Sequence, residues 1–264
     1  MNLEILCTQV QELAREVGRF IYDERLKFTA DDIIHKGKSD MVTYVDKTSE
    51  ARIVEALRII LPGSGFIAEE GTAQDNGEKF RWVIDPLDGT TNYIHGISPF
   101  CVSIALMEDT EIILGVVYEI NLNEMFYAWK GSKAYLNGKE INVSAASETA
   151  DALIATGFPY YDFSQLENYM AAMNFFMRNS HGMRRLGSAA ADMAYVAAGR
   201  FEGFYEHALH SWDVAAGIII LKQAGGKVCD FNGGGNYLFG GEMIACNANY
   251  FEEFYRIVNT HLGK

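Results

Sequence analysis

Positive charge is scarce in this 264-residue chain: 22 Lys and Arg stand against 35 Asp and Glu, a formal net charge of −13. Nucleic-acid binding needs clustered basic side chains, so a broad nucleic-acid footprint is excluded. Most of the acidic excess serves solubility. A small phosphate can still bind where metal ions supply the positive charge. Cysteine is scarce too, and Cys7, Cys101, Cys229 and Cys246 contain no C-x-x-C pair. A chain of this size needs no disulfide staples, so reduced thiols in a cytoplasmic protein are expected. Glu4, Glu12 and Arg15 interrupt any apolar run at the start, which argues against a signal peptide. The longest apolar stretch, Val214 to Leu221, is far too short to span a bilayer, so no membrane partner is expected.

Several catalytic signatures are also missing. Gly233-Gly234-Gly235 and Gly240-Gly241 are not followed by Gly-Lys-Ser/Thr, so they read as loop rather than nucleotide cradle. There is no His-Glu-x-x-His and no Gly-x-Ser-x-Gly elbow. His207 and His210 are expected at the surface or in packing roles. Tyr160-Tyr161 and Phe175-Phe176 read as core rather than as base-stacking platforms.

What is present suits a globular enzyme. Apolar residues make up 49% of the chain, enough for a large core in one domain or two intimate subdomains. Leu6, Val10, Leu13, Val17 and Ile21 predict an amphipathic helix over 3–22. Residues 26–40, with Lys36-Gly37-Lys38, read as a hairpin or loop. Asp46 reads as the N-cap of a second helix, which Leu61-Pro62-Gly63 stops. Strands are expected at 65–68, 82–85, 99–107, 111–119 and 123–129, with Asn137-Gly138 as a hairpin turn. A second part, 151–264, holds strands near 152–156, 202–206, 227–231 and 242–246. Its helices are expected near 165–178, 188–199, 212–224 and 250–261. This order implies layered α and β structure with antiparallel pairs, not strict βαβ alternation.

The chemistry lies in carboxylates at the ends of these elements. Trp82-Val83-Ile84 delivers Asp85, Pro86 fixes the backbone, and Asp88 follows three residues on. Asp88-Gly89 alone would be an acidic turn. With Asp85, Pro86 and Thr90-Thr91 it reads as two carboxylates converging on a hard cation, beside backbone N–H groups suited to phosphate. Glu69-Glu70 also ends an apolar strand. Asp213 lies in the first turn of an apolar helix, where a buried carboxylate needs a partner or a metal.

Together these segments resemble the inositol monophosphatase family, within the wider group of lithium-sensitive, Mg²⁺-dependent phosphatases that includes fructose-1,6-bisphosphatases. Asp85-Pro86-Leu87-Asp88-Gly89-Thr90-Thr91-Asn92 is similar to the first family signature and Trp212-Asp213-Val214-Ala215-Ala216-Gly217 to the second. Phe66-Ile67-Ala68-Glu69-Glu70-Gly71 resembles the glutamate motif, with Ala68 where the family often has Gly. Asp40-Met41-Val42-Thr43-Tyr44-Val45-Asp46 resembles the segment with the upstream aspartate. The four stand in family order across nearly the whole chain.

The resemblance implies an α/β (α+β) fold of five layers, α-β-α-β-α, with mixed or antiparallel sheets. One compact catalytic unit would comprise residues 1–150, carrying most metal ligands, and 151–264, carrying Asp213, often as a homodimer. It implies two or three Mg²⁺ per site: one on Glu69, Asp85 and the Leu87 carbonyl, another on Asp85, Asp88 and Asp213, with Glu70 behind them or on a weak third. Gly89 and Thr90 would offer N–H groups to phosphate. Gly187-Ser188-Ala189 and Glu206 would face the polyol, and Lys36 lies near a family loop lysine. The expected chemistry is in-line attack on phosphorus by a metal-acidified water. Thr90 would orient or deprotonate that water, polarised by Asp46, and Glu69 would share the work. The expected substrate is a small phosphorylated polyol, sugar or nucleotide, foremost inositol monophosphate. Fructose 1,6-bisphosphate and the 2′-phosphate of NADP(H) are alternatives, and a non-catalytic cation-binding protein is the rival class.

Overall fold

The computed structural model describes residues 1–27, 33–35, 41–73, 77–159 and 162–264. Its chain begins with α1 (Leu3–Arg25), an antiparallel pair β1 (Ile33–His35) and β2 (Met41–Thr43), and α2 (Tyr44–Ile60). There follow β3 (Gly65–Ala68), β4 (Phe80–Asp88), α3 (Thr90–His95), β5 (Cys101–Glu108), β6 (Glu111–Glu119), β7 (Glu124–Trp129), β8 (Ala134–Leu136) and β9 (Lys139–Ile141). The second half contributes β10 (Leu153–Thr156), α4 (Leu166–Asn179), β11 (Gly182–Arg184), α5 (Ala189–Ala197) and β12 (Gly203–His207). It closes with α6 (Ser211–Gln223), β13 (Gly226–Cys229), β14 (Glu242–Asn247) and α7 (Phe251–Leu262).

Helix α1 forms because its apolar residues recur on one face, and Leu6, Val10, Leu13, Val17 and Ile21 are all buried. Each such side chain contributes roughly 1.5–3 kcal/mol by leaving water. The Asn2 side chain caps the helix, accepting the Glu4 and Ile5 N–H groups at 3.0 and 3.2 Å. Residues β3–β9 make a seven-stranded sheet in chain order, parallel only between β3 and β4. The hairpin turn expected at Asn137-Gly138 is present, with φ of 48° and 83°.

The other sheet has the order β11-β10-β12-β14-β13, parallel across its first three strands and antiparallel thereafter. Helices α1 and α2 cover the seven-stranded sheet on its outer face, and α4 and α7 cover the five-stranded sheet. Between the sheets lie α5 and α6, in a core rich in alanine. The result is the expected five-layered α-β-α-β-α arrangement. Helix α6 has apolar residues all round because sheet or helix surrounds it, and Val214 to Leu221 are all buried. At its closest approach Gly115 of β6 faces Ala216, where a Cβ would lie 2.7 Å from the Ala216 carbonyl oxygen.

One helix boundary departs from expectation. Asp46 does not cap α2 from outside. The helix starts at Tyr44, directly after β2, and places Asp46 inside its first turn, where it is buried. Tyr44, hydrogen-bonded to the Glu24 carboxylate of α1, ties that start to the neighbouring helix. Strand β1 pairs with β2 as a hairpin would, while Lys36 and Tyr160-Tyr161 lie outside the described residues. Phe176 is in the core as expected. All four cysteines are free thiols and buried. Among the described residues no helix is long and apolar enough to cross a membrane.

Candidate active site

The site forms where the C-terminal ends of β3 and β4 meet the N-terminal ends of α5 and α6. Ala68 of β3 pairs with Ile84 of β4, so the next residues, Glu69 and Asp85, are neighbours across a parallel ladder. The Glu69 N–H donates to the Ile84 carbonyl at 3.3 Å, which fixes the start of the loop. Along an ideal strand, residues 85 and 88 would face opposite sides. Here the ladder with β5 slips: Asp85 pairs with Ser103, and Asp88 with Cys101. The extra residue is a bulge that turns both carboxylates to the same side. Pro86 suits the bulge because it has no N–H to leave unpaired.

Asp213 comes from the first turn of α6. The Ser103 hydroxyl donates to the Trp212 carbonyl at 3.3 Å, docking that turn on β5. Asp213 accepts the His210 N–H at 2.6 Å. Among the described residues, Asp85, Asp88 and Asp213 each bring a carboxylate oxygen within 4.8 Å of the others.

Their environments differ. Burial pushes the Asp85 carboxyl well above the usual carboxylate range, and the charges of Glu69, Asp88 and Asp213 push the same way. Asp88, also desolvated, is raised only to about 6. Its Oδ2 accepts the Ser188 hydroxyl at 2.6 Å and the Ala190 N–H at 2.7 Å, both at the start of α5, and the Arg185 charge helps. Asp213 is raised to about 8 by burial and by Asp88. Nearby Glu206 is raised to about 8, by burial first and then by Asp213, against the pull of Arg185. Its carboxylate occupies the space a Cβ on Gly157 would need. Acidic oxygens crowded in this way resist joint ionisation, and a divalent cation relieves that repulsion. The donor set is oxygen throughout, which fits Mg²⁺ rather than a thiolate-seeking metal.

Gly89 and Gly187 join the two halves of the site. Both are left-handed, with φ of 91° and 89°. A Cβ on Gly89 would approach the Pro99 carbonyl oxygen to 2.9 Å and the Gly187 carbonyl oxygen to 3.3 Å. Asn92, buried in α3, donates from Nδ2 to the Pro99 carbonyl at 2.8 Å and the Leu186 carbonyl at 2.7 Å, closing the seam.

A model of the family described as "Inositol monophosphatase family" matches residues 2–262. The chain belongs to the inositol monophosphatase family. Curated members include the inositol-1-monophosphatase of Mesorhizobium japonicum, 40% identical over 80% of each chain. The protein called Nus factor SuhB in Haemophilus influenzae is 39% identical over 95% of this chain and 94% of its own. Among solved structures, extragenic suppressor protein suhB of Bartonella henselae superposes with a TM-score of 0.91. It shares 35% identity and covers 98% of this chain and 100% of its own.

Against the family pattern, the structure brings Asp85, Asp88 and Asp213 together and sets Glu69 beside Asp85. Thr90 opens α3 and its hydroxyl donates to the Leu87 carbonyl at 3.0 Å. The buried Ser188 hydroxyl donates to Asp88. His210 stacks on Trp212 with ring centres 4.6 Å apart, and His207 packs edge-on to Tyr169, the packing roles expected of them. Sequence reasoning passed over Arg185 and Asp192. Asp192 lies buried in the first turn of α5, raised by burial and by the charges of Glu206 and Asp88, with Oδ1 lacking a hydrogen-bond partner among the described residues. The available signals were Arg185 two residues before Gly187, and Asp192 four after Ser188.

Proposed function

We propose that this phosphatase-family protein hydrolyses inositol monophosphate to inositol and phosphate with Mg²⁺ as cofactor. The observation that carries the reading is the convergence of the Asp85, Asp88 and Asp213 oxygens within 4.8 Å of one another. Glu69, Asp85 and the Leu87 carbonyl would hold one ion, and Asp85, Asp88 and Asp213 another. Bound Mg²⁺ supplies Lewis acidity toward water and phosphate and offsets the phosphate charge. The protein's own contribution is orientation. Thr90, polarised by Asp46, holds the attacking water by its hydroxyl, and Glu69 shares the proton. The Gly89 and Thr90 N–H groups bind phosphate oxygens, and no arginine finger is required. Glu206, beside Asp213, receives polyol hydroxyls, and Gly187 lines the same side. Ser188 acts through Asp88. The halves 1–150 and 151–264 act as subdomains of one catalytic unit, in a homodimer.

The likeness to proteins called Nus factor SuhB is compatible with catalysis here, because every carboxylate of the metal set is intact. The test is phosphate release from inositol 1-phosphate, fructose 1,6-bisphosphate, NADP and 3′-phosphoadenosine 5′-phosphate, each with Mg²⁺, EDTA and Li⁺. The expected result is Mg²⁺-dependent release that is fastest from inositol 1-phosphate and inhibited by Li⁺. Release fastest from another member reassigns the substrate. No release by folded protein leaves a cation-binding role.

A further inference from the structure

Helix α2 contains a second buried carboxylate, one turn after Asp46. Glu50 is fully buried, and a buried charge is costly unless it is paired or hydrogen-bonded. Among the described residues its hydrogen bonds all go to one short loop. One oxygen accepts the Glu70 N–H at 2.7 Å. The other accepts the Thr72 N–H at 2.8 Å and the Thr72 hydroxyl at 2.8 Å. Between these donors Gly71 takes a left-handed φ of 70°, which lets the chain turn around the carboxylate. The loop is therefore held from two sides. Strand β4 grips the Glu69 N–H through the Ile84 carbonyl, and α2 grips the next residues through Glu50. The residue caught between the two grips is Glu69, the neighbour of Asp85.

We infer that Glu50 is a positioning residue that aims Glu69 at the cation site. It touches neither substrate nor metal. It accepts three hydrogen bonds from the loop that follows Glu69 and so fixes the direction of that carboxylate before any ion arrives. Asp46 and Glu50 are four residues apart on one helix, so α2 sets both the polariser of Thr90 and the aim of Glu69. The inference rests on the Mg²⁺ reading given above.

The test is direct titration of purified, EDTA-stripped protein with Mg²⁺ by calorimetry, together with the Mg²⁺ dependence of turnover and the melting temperature. Glu50→Gln puts an NH₂ group where an acceptor oxygen stood, facing a backbone N–H. Glu50→Asp keeps the charge but shortens the reach. Both are expected to weaken Mg²⁺ binding by about 10- to 100-fold, as loss of an outer-shell partner does. Turnover at saturating Mg²⁺ should fall much less. Thr72→Val should shift binding in the same direction by less. Glu202→Gln, which alters a buried carboxylate that accepts the Leu153 N–H at 2.7 Å in the other sheet, should lower the melting temperature and leave Mg²⁺ affinity unchanged. Folded Glu50→Gln with wild-type affinity overturns the inference. So does wild-type affinity in Glu50→Asp, which would mean that charge rather than aim matters, or an equal affinity loss in Glu202→Gln. Wild-type protein that takes up no Mg²⁺ overturns the functional reading itself, and the inference with it.

Discussion

Asp85 and Asp88 are three residues apart on one strand, yet they are held by opposite means. Asp85 is buried among other carboxylates and, among the described residues, accepts only a local bond from the Leu87 N–H at 2.9 Å. Asp88 meets the start of α5, where the Ser188 hydroxyl and the Ala190 N–H converge on one oxygen. The first is pushed well above the usual carboxylate range, while the second rises only to about 6. Residue type is the same, but Asp85 is the more deeply buried and faces the charges of Glu69, Asp88 and Asp213, whereas Asp88 draws donors from a helix in the other half of the chain. The comparison teaches a division of labour. Asp88 is prepared for ionisation by the protein, whereas Asp85 would depend on a bound cation.

The largest effect that would sharpen this contrast is expected from Asp85→Asn. It should cost several kcal/mol of transition-state stabilisation, about 10³-fold or more in kcat/KM, by removing an acceptor that both ions would share under the proposed function. In EDTA the variant should melt no lower than wild type, because a repelled buried carboxyl is gone. Near-normal turnover would remove Asp85 from the site.

Next comes Thr90→Ala. With Thr90 in its proposed role of orienting or deprotonating water, its loss should lower kcat by about 10²- to 10⁴-fold while calorimetric Mg²⁺ affinity changes little. Equal losses of both would place Thr90 in metal binding rather than on water. A smaller effect is expected for Ser188→Ala, which leaves Asp88 without its side-chain donor. Mg²⁺ affinity should fall by about 10-fold, and the acidic limb of the pH–activity profile should move to higher pH. Ser188→Thr should restore both. An unmoved acidic limb would break the contrast between the two aspartates.

The smallest effect is on stability and follows from the same carboxyls. Asp88 and Asp213 bind protons more tightly folded, at about 6 and about 8, than at their ordinary value of 3.8. That linkage favours the fold fully below the ordinary value and is lost as pH rises through the folded values. In EDTA the melting temperature should therefore decline between about pH 5 and pH 8. Mg²⁺ would bind the deprotonated carboxylates, so it should raise the melting temperature more at the top of that range than at the bottom. Scans with and without Mg²⁺ across this range check it, and a flat EDTA profile would refute the crowding.

The local elements and the chemistry at their ends are legible in the residues alone. Apolar period placed α1, apolar runs and the Asn137-Gly138 turn placed the meander, and the acids that follow the apolar runs 65–68 and 82–84 marked Glu69, Asp85 and Asp88. These are short-range properties, set by backbone sterics and by which face must leave water. Even so, α2 begins two residues before the Asp46 boundary, with the Tyr44 side chain hydrogen-bonded to Glu24 of α1. Only the tertiary structure decided how the ends meet. The β4 bulge that turns Asp85 and Asp88 to one side is a slip against β5, invisible in the spacing of the acids. Ser188 reaches Asp88 across 100 residues of chain, Glu50 reaches Thr72 across 22, and Arg185 and Asp192 gain meaning only beside Glu206. A buried charge takes its partners from whatever the fold packs against it, so those contacts lie in three dimensions and not in sequence period.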